Sequence, residues 1–383
     1  MELENDHSVY ILGAGFSCDA GLPTMVPFLQ RMRDAHPWLL AQGRTREAAV
    51  IESVLDFRLK AASAAYRVPL DVENVEHLFS LASARGEEEW AANVSLAIAA
   101  TLDFAEKSAE PRYMRLENTN PPRIKIPSHW VEKQASPPIC FAPLYDFICG
   151  VLVGGYPPSE YRRTTFVSFN YDTVVEKALE NLGVRYTYGF SRGPGGDANF
   201  NGGTRSEPRG EPECVELFKL HGSVNWGLKA GPGRPLTLYR DYDSLRAAVD
   251  SDDAKPAPVL LPPTWRKDFQ GALSKVWDQA VEALRTATRV VILGFSMPET
   301  DLHFRYLIAA GLQDNISLRE IVVGNPAPDA ADRARALFRP EAPVRVAKDT
   351  LLPLIQNSNN RTWLRGGPSA VWTTYRPVSD TND

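Results

Sequence analysis

The stretch that most constrains this chain runs from Val9 to Pro23, VYILGAGFSCDAGLP. A short apolar run, Val9 to Leu12, ends in the glycines Gly13 and Gly15 and reads as a buried strand turning sharply into a helix. Glycines at such a turn let the backbone come close to a ligand, and a helix N-terminus behind them favours phosphate. The stretch is a candidate nucleotide-binding turn. Its spacing departs from the ordinary dinucleotide fingerprint, because the third glycine of G-x-G-x-x-G falls at Cys18. A tight strand–helix turn with no ligand explains Gly-x-Gly equally well, so the rest of the chain has to decide.

The 383 residues leave room for one large domain with an insertion, or for two domains. With 44% hydrophobic and 23% charged residues the chain is ordinary globular material, and a net charge of −5 gives no global reason to expect nucleic-acid binding. Cys18, Cys140, Cys149 and Cys214 form no C-x-x-C pair, which argues against a zinc ribbon and for free thiols in a reducing cytosol. No metal is expected. The segment before Val9 is acidic and polar, unlike a secretory signal, and no apolar run approaches the roughly 20 residues that span a bilayer. A cytoplasmic protein without membrane contact is the expectation.

Apolar residues at helical spacing predict helices over 46–66, 71–79 and 88–107, with Asp71 as a possible cap. Residues 111–143 read as an irregular, proline-rich excursion, followed by an apolar helix over 144–153. From 163 the pattern alternates. Strands are predicted over 163–169, 184–188, 215–220, 289–293, 320–324 and 344–347. Helices are predicted over 170–182, 272–287, 301–312 and 328–338. Residues 191–213 read as a Gly- and Pro-rich loop, and 236–259 are poorly patterned. This alternation predicts an α/β fold, a Rossmann-like doubly wound, mostly parallel sheet with an inserted helical subdomain. The core would comprise 1–23 and 164–350, the insertion 24–163, and a C-terminal extension 351–383.

Ligands of doubly wound sheets bind beyond the carboxyl ends of the strands. Those ends here carry Gly13, Ala14, Gly15 and Ser17; Asn170 and Asp172; His221 through Asn225; Gly294 through Ser296; and Gly324 with Asn325. Small residues, an amide and an imidazole converge, which is the pattern of a site. End turns are also commonly small and polar. Asn170 suits a helix N-cap, Asp172 suits a first helical turn, and a lone His221 can close a strand end.

As a set, GAGFS (13–17) with Ala20-Gly21, FNYD (169–172), KLHGSVNW (219–226) and LGFS (293–296) resemble the sirtuin-like domains of bacterial defence proteins. The resemblance implies a core that binds NAD and breaks its nicotinamide–ribose bond. Gly13, Ala14, Gly15 and Ser17 would then line the NAD pocket. Asn170 would contact the ribose hydroxyls or hold water near the anomeric carbon, and His221 would act as general base through the ribose. Asp172 would steady the pocket, while Gly294, Ser296 and Asn325 would hold the adenosine half. The chemistry agrees: loss of nicotinamide needs orientation and one base near neutral pKa, which histidine supplies. An asparagine amide can position water because it both donates and accepts.

Three activities fit: NAD hydrolysis, NAD-dependent deacylation, and nucleotide sensing without turnover. A deacylase builds its peptide groove against a zinc ribbon, and the paired cysteines are missing. The deacylases' Gly-Ile-Pro-x-Phe-Arg string is also altered, since residues 21–26 read GLPTMV with no arginine. Both departures favour water as acceptor, hence an NAD glycohydrolase. The resemblance further implies an NAD-depleting effector of anti-phage abortive infection, held silent by self-assembly into a homo-oligomer or by a partner such as a HerA-type ATPase. Cys18 is read as packing or hydrogen-bonding a ligand, His303 as a structural or surface residue, and Trp226 and Trp265 as packing residues, with Trp226 close enough to the motif to border the pocket.

Overall fold

The computed structural model describes residues 6–65, 71–84, 88–117, 140–153, 162–193, 196–201, 203–228, 236–251, 256–261, 272–297, 302–348, 350–356 and 374–377. Strand β1 (Asp6–Leu12) leads into a 3-10 helix, Ala14–Ala20. Four helices follow, α1 (Phe28–Ala41), α2 (Thr45–Ala65), α3 (Val75–Ala84) and α4 (Glu88–Ser108). Then come β2 (Tyr113–Glu117), β3 (Cys140–Pro143) and α5 (Leu144–Val153). The middle of the chain forms β4 (Arg162–Ser168), α6 (Val174–Asn181), β5 (Tyr186–Thr187), β6 (Ala198–Phe200), β7 (Val215–Lys219), β8 (Gly222–Leu228), β9 (Leu236–Leu238), α7 (Tyr242–Ser251) and β10 (Ala257–Leu260). The last part forms α8 (Ala272–Thr286), β11 (Arg289–Leu293), α9 (Leu302–Leu312), β12 (Glu320–Gly324), α10 (Ala330–Leu337), β13 (Val344–Ala347), α11 (Leu351–Gln356) and β14 (Thr374–Pro377).

Seven parallel strands make the main sheet in the order β13-β12-β11-β1-β4-β7-β5. Its central strand β1 and the adjacent β11 are buried on both faces, which is why Val9 to Leu12 and Val290 to Leu293 are continuous apolar runs. The fold is the doubly wound, Rossmann-type α/β architecture with helical insertion. From β1 the chain builds outward through β4 on one side and through β11 on the other. The strand order therefore reverses at β1, and the crevice of such a sheet opens there.

A second, four-stranded sheet, β10-β8-β9-β6, stands beside the first, and β14-β2-β3 form a third. The four-stranded sheet separates two apolar cores. Trp226 of β8, with Leu236 and Leu238 of β9, joins the core of the parallel sheet. Val224, Tyr239 and Leu260 join the core of helices α1–α4.

Several elements differ from the sequence reading. The turn after β1 is a 3-10 helix between an extended Gly13 and a left-handed Gly21, not an α-helix. The helix expected from 170 begins at Val174, so Asn170 is no N-cap and Asp172 precedes the helix. The helix expected from 71 begins at Val75. The excursion over 111–143 carries β2 and β3, paired antiparallel, in its described parts. The loop over 191–213 contains β6, and the poorly patterned 236–259 holds β9, α7 and most of β10. Residues 223–225 belong to β8 of the second sheet and not to an end turn of the first.

Candidate active site

The carboxyl ends of β1 and β11 are stitched together by their backbones. Gly13 N–H donates to Leu293 O at 3.1 Å, and Gly15 N–H to Gly294 O at 2.8 Å. This approach is what the glycines permit. A Cβ on Gly13 would lie 2.5 Å from Phe295 Cα, and one on Gly15 2.9 Å from Gly294 O. Gly294 itself has φ 61°, the left-handed region that a side chain disfavours. The Gly-x-Gly pattern is thus accounted for by contact with the turn after β11, and Gly13 does not line the cleft described below.

Asn170 follows β4, the neighbour of β1 on the other side. Its side chain is buried, and its Nδ2 donates to Gly13 O at 2.9 Å and to Ser17 Oγ at 3.1 Å. The amide thereby locks the β1 turn to the β4 turn. Asp172 Oδ1 accepts from Val174 N–H at 3.0 Å, opening α6. Behind this segment, the Nζ of buried Lys219 donates to Asp172 O and pairs with Glu176 Oε1 at 3.1 Å. Tyr188 OH also donates to Glu176 Oε1 at 3.0 Å, and Asn225 Nδ2 donates to Tyr188 OH at 3.2 Å. Burial pushes the Glu176 carboxyl up against the pull of Lys219. Lys219 and Asn225 of the KLHGSVNW string are therefore scaffold, as is Trp226, packed between Tyr188 and Phe190.

His221 sits in the tight connection between β7 and β8. Its ring stands edge-on to Phe169, with centroids 5.1 Å apart, and Phe169 rests in turn on Phe295 and Phe304. Leu261 N–H donates to His221 O at 2.8 Å, and Tyr171 OH donates to Leu261 O at 2.8 Å. Gly222, at φ 81°, lets β10 pass so closely that a Cβ would run into Val259 O. This explains the glycine after the histidine.

These ends border one cleft of about 940 Å³. Ala14, Gly15, Ser17, Asn170, Asp172 and His221 line it, as do Gly294, Ser296 and Asn325 on the other side of β1. Asn325 has a bonding role that the sequence did not suggest: its Nδ2 donates to Phe295 O at 2.9 Å, and its Oδ1 accepts from Ala327 N–H at 2.9 Å. The opposite wall comes from the helical insertion, with Phe28, Val75, Phe79, Ile98 and Leu102 making it apolar. The sequence offers the insertion as a contact surface or lid but does not single out these wall residues, because a core helix and a cleft-lining helix share one apolar period. Sequence reasoning missed Arg333 of α10, which lines the cleft, and the role of Lys219, since a buried cation leaves no periodic signal.

Cys18 lines the cleft as a free thiol with part of its surface in solvent, and the partial burial of its sulfur, with the nearby Asp19 and Asp172 carboxylates, pushes it up. A thiol held protonated is a poor nucleophile. Tyr145 is held protonated in the same way, and its OH donates to Phe16 O at 2.5 Å. His303 stacks edge-on at 6.3 Å from Trp277, outside the cleft lining. Trp265 lies outside the described residues. Among the described residues no group of three His, Cys, Asp or Glu side chains is placed to hold a metal ion, and no helix is long and apolar enough to cross a membrane.

Sheet order and cleft define a doubly wound α/β protein with its site at the topological switch point. Over residues 164–346 the sequence matches the SIR2-like domain family. The chain thus carries a sirtuin-like domain. Among solved structures it is similar to one described under the mechanism and regulation of Sir2 enzymes, at 11% identity over 95% of this chain and 94% of that one, TM-score 0.42. A Sir2 homologue–NAD complex matches at 12% identity over 94% and 90%, TM-score 0.42. An ADP-ribose complex of a mutant Sir2 homologue matches at 12% over 95% and 93%, TM-score 0.40. These likenesses are distant, and the sirtuin-like domain rests on the sequence match over residues 164–346. No curated protein matches the chain.

Proposed function

We propose that the protein is an NAD glycohydrolase, releasing nicotinamide and ADP-ribose. The observation that carries this reading is the convergence of Asn170, His221 and the Ala14–Ser17 turn on one cleft at the switch point. Its volume of about 940 Å³ suits a ligand the size of a dinucleotide. In this reading Ala14, Gly15 and Ser17 seat the pyrophosphate, and Gly294, Ser296 and Asn325 border the adenosine half. Asn170, fixed through Gly13 and Ser17, orients the nicotinamide ribose and a water at its anomeric carbon. Asp172 braces that segment. His221 holds the proton taken up through the ribose hydroxyls, the work of a base near neutral pKa.

The apolar wall from α3 and α4 favours one other activity, an acyl group entering as acceptor in place of water. Purified protein incubated with NAD, with and without an acyl-lysine peptide, decides between them by nicotinamide release. Release without peptide, lost in both Asn170→Ala and His221→Ala, is the expected result. Release that needs the peptide moves the assignment to deacylation, and release unchanged in both variants removes the site.

On the family resemblance we place this activity in the cytoplasm, in anti-phage abortive infection, with homo-oligomerisation or a HerA-type ATPase as the control. Infected cells carrying the wild-type chain should lose NAD, and cells carrying His221→Ala should keep it.

A further inference from the structure

The residues lining the cleft include two carboxylates, Asp19 and Asp172, and both belong to the half built by the 3-10 helix and the end of β4. Among the described residues the lining includes one lysine or arginine, Arg333, and it follows β12, on the other side of β1 from β4. Arg333 stands on α10, which follows β12, one strand beyond the β1–β11 crevice. The same lining includes Pro326 and Ala327 ahead of α10 and Leu351 and Leu354 of α11, apolar surface of the kind that takes a base.

The guanidinium is held from one side only. Its Nη1 donates to Asp329, the N-cap residue of the same helix. Its Nε is buried and has no hydrogen-bond partner among the described residues, and the side chain is 21% exposed. The Nε is closed to solvent, so an anion in the cleft would meet the guanidinium at its terminal nitrogens, where a charge-assisted bond forms. In a doubly wound sheet the pyrophosphate lies at the crevice and the outer nucleoside lies to its side. A cation one strand out therefore faces the adenosine ribose, where an arginine accommodates a 2′-phosphate.

Resting on the dinucleotide reading above, we propose that Arg333 recognises a phosphate on the adenosine ribose, so that the cleft takes the 2′-phosphorylated dinucleotide, NADP, at least as well as NAD. Asp329 keeps the guanidinium turned toward that position. Arginine suits the task because its fork can give two parallel bonds to a phosphate.

The test is calorimetric titration of the full chain with ADP-ribose and with 2′-phospho-ADP-ribose. The wild type should bind the phosphorylated ligand as tightly as, or more tightly than, ADP-ribose. In Arg333→Ala the ratio of the two affinities should fall about tenfold or more, the effect of losing a charge-assisted bond. Arg333→Lys, which keeps the charge, should retain most of the ratio. Circular dichroism and a melting curve establish that each variant is folded. A wild type that binds the phosphorylated ligand tenfold more weakly overturns the proposal. So does a ratio unchanged in Arg333→Ala, since that outcome puts the guanidinium on the shared pyrophosphate. Binding of ADP-ribose alone sinks only this inference, whereas binding of neither ligand sinks the dinucleotide reading with it.

Discussion

The Asn170 amide does two jobs at one place, and they are separable. Its Nδ2 satisfies Gly13 O and Ser17 Oγ, both structural contacts, while the proposed chemistry uses the same group to orient a ribose. Asn170→Asp is nearly isosteric but sets a carboxylate oxygen against the Gly13 carbonyl. It should lower stability by about 1–3 kcal/mol, the cost of an unsatisfied buried polar group, and abolish nicotinamide release. Chemical denaturation measures the first effect and turnover the second. A second residue-scale expectation concerns His7, buried at the far end of the sheet between Thr286 Oγ1 at 3.0 Å and Thr165 Oγ1 at 2.9 Å. Burial, aided by Arg163, lowers its pKa from 6.5 to about 3. Below about pH 6.5 the unfolded chain takes up a proton that the folded chain refuses. Stability should then fall by roughly 1.4 kcal/mol per pH unit down to about pH 3, and no such loss occurs at neutral pH. His7→Gln should flatten that slope in denaturation curves taken from pH 7 to pH 4.

At the scale of elements, the strands of the parallel sheet were legible because burial on both faces demands unbroken apolar runs such as Val290 to Leu293. The second sheet was not. Only Leu220 and His221 separate β7 from β8, yet the two strands belong to different sheets, and nothing in the local pattern of KLHGSVNW marks that change. Both proposed chemical residues were nameable because the FNYD and KLHGSVNW strings resemble a known family, whereas the role of Lys219, the last residue of β7, shows only in its burial beside Glu176. Its ion pair with Glu176 joins β7 to α6 and fixes the Asp172 carbonyl next to Asn170. Lys219→Met strands Glu176 in the core and should cost about 3–5 kcal/mol. Adding Glu176→Gln should recover part of that stability, because the uncompensated charge is then gone. Equal melting temperatures for single and double variants would mean that the pair does not couple these elements.

At the scale of the molecule, the cleft lies between two apolar cores, one under the parallel sheet and one among helices α1–α4. Its geometry therefore depends on what holds the helical lobe in place. One tie is a buried charge cluster around Arg44. The guanidinium donates to Glu47 Oε2 at 2.7 Å and to Asp103 Oδ2 of α4 at 2.5 Å. Tyr242 OH, from α7 beside the second sheet, donates to Glu47 Oε1 at 2.7 Å, and Lys107 bridges Asp103 and Asp243. Arg44, Glu47 and Asp103 are all buried, so removing the guanidinium leaves Asp103 with Lys107 as its cation and Glu47 with the Tyr242 hydroxyl, two carboxylates out of water with half their compensation gone. Arg44→Met should destabilise the protein by about 3–5 kcal/mol. The loss should concentrate in one lobe: amide exchange should quicken in α1, α2 and α4 while β1 and β11 keep their protection. Turnover should fall with it, since Phe28, Ile98 and Leu102 of that lobe wall the cleft. Replacing all three charges, as Arg44→Met with Glu47→Leu and Asp103→Leu, removes the stranded carboxylates and should restore most of the stability. Uniform exchange across both lobes in Arg44→Met would show instead that the two cores unfold as one unit.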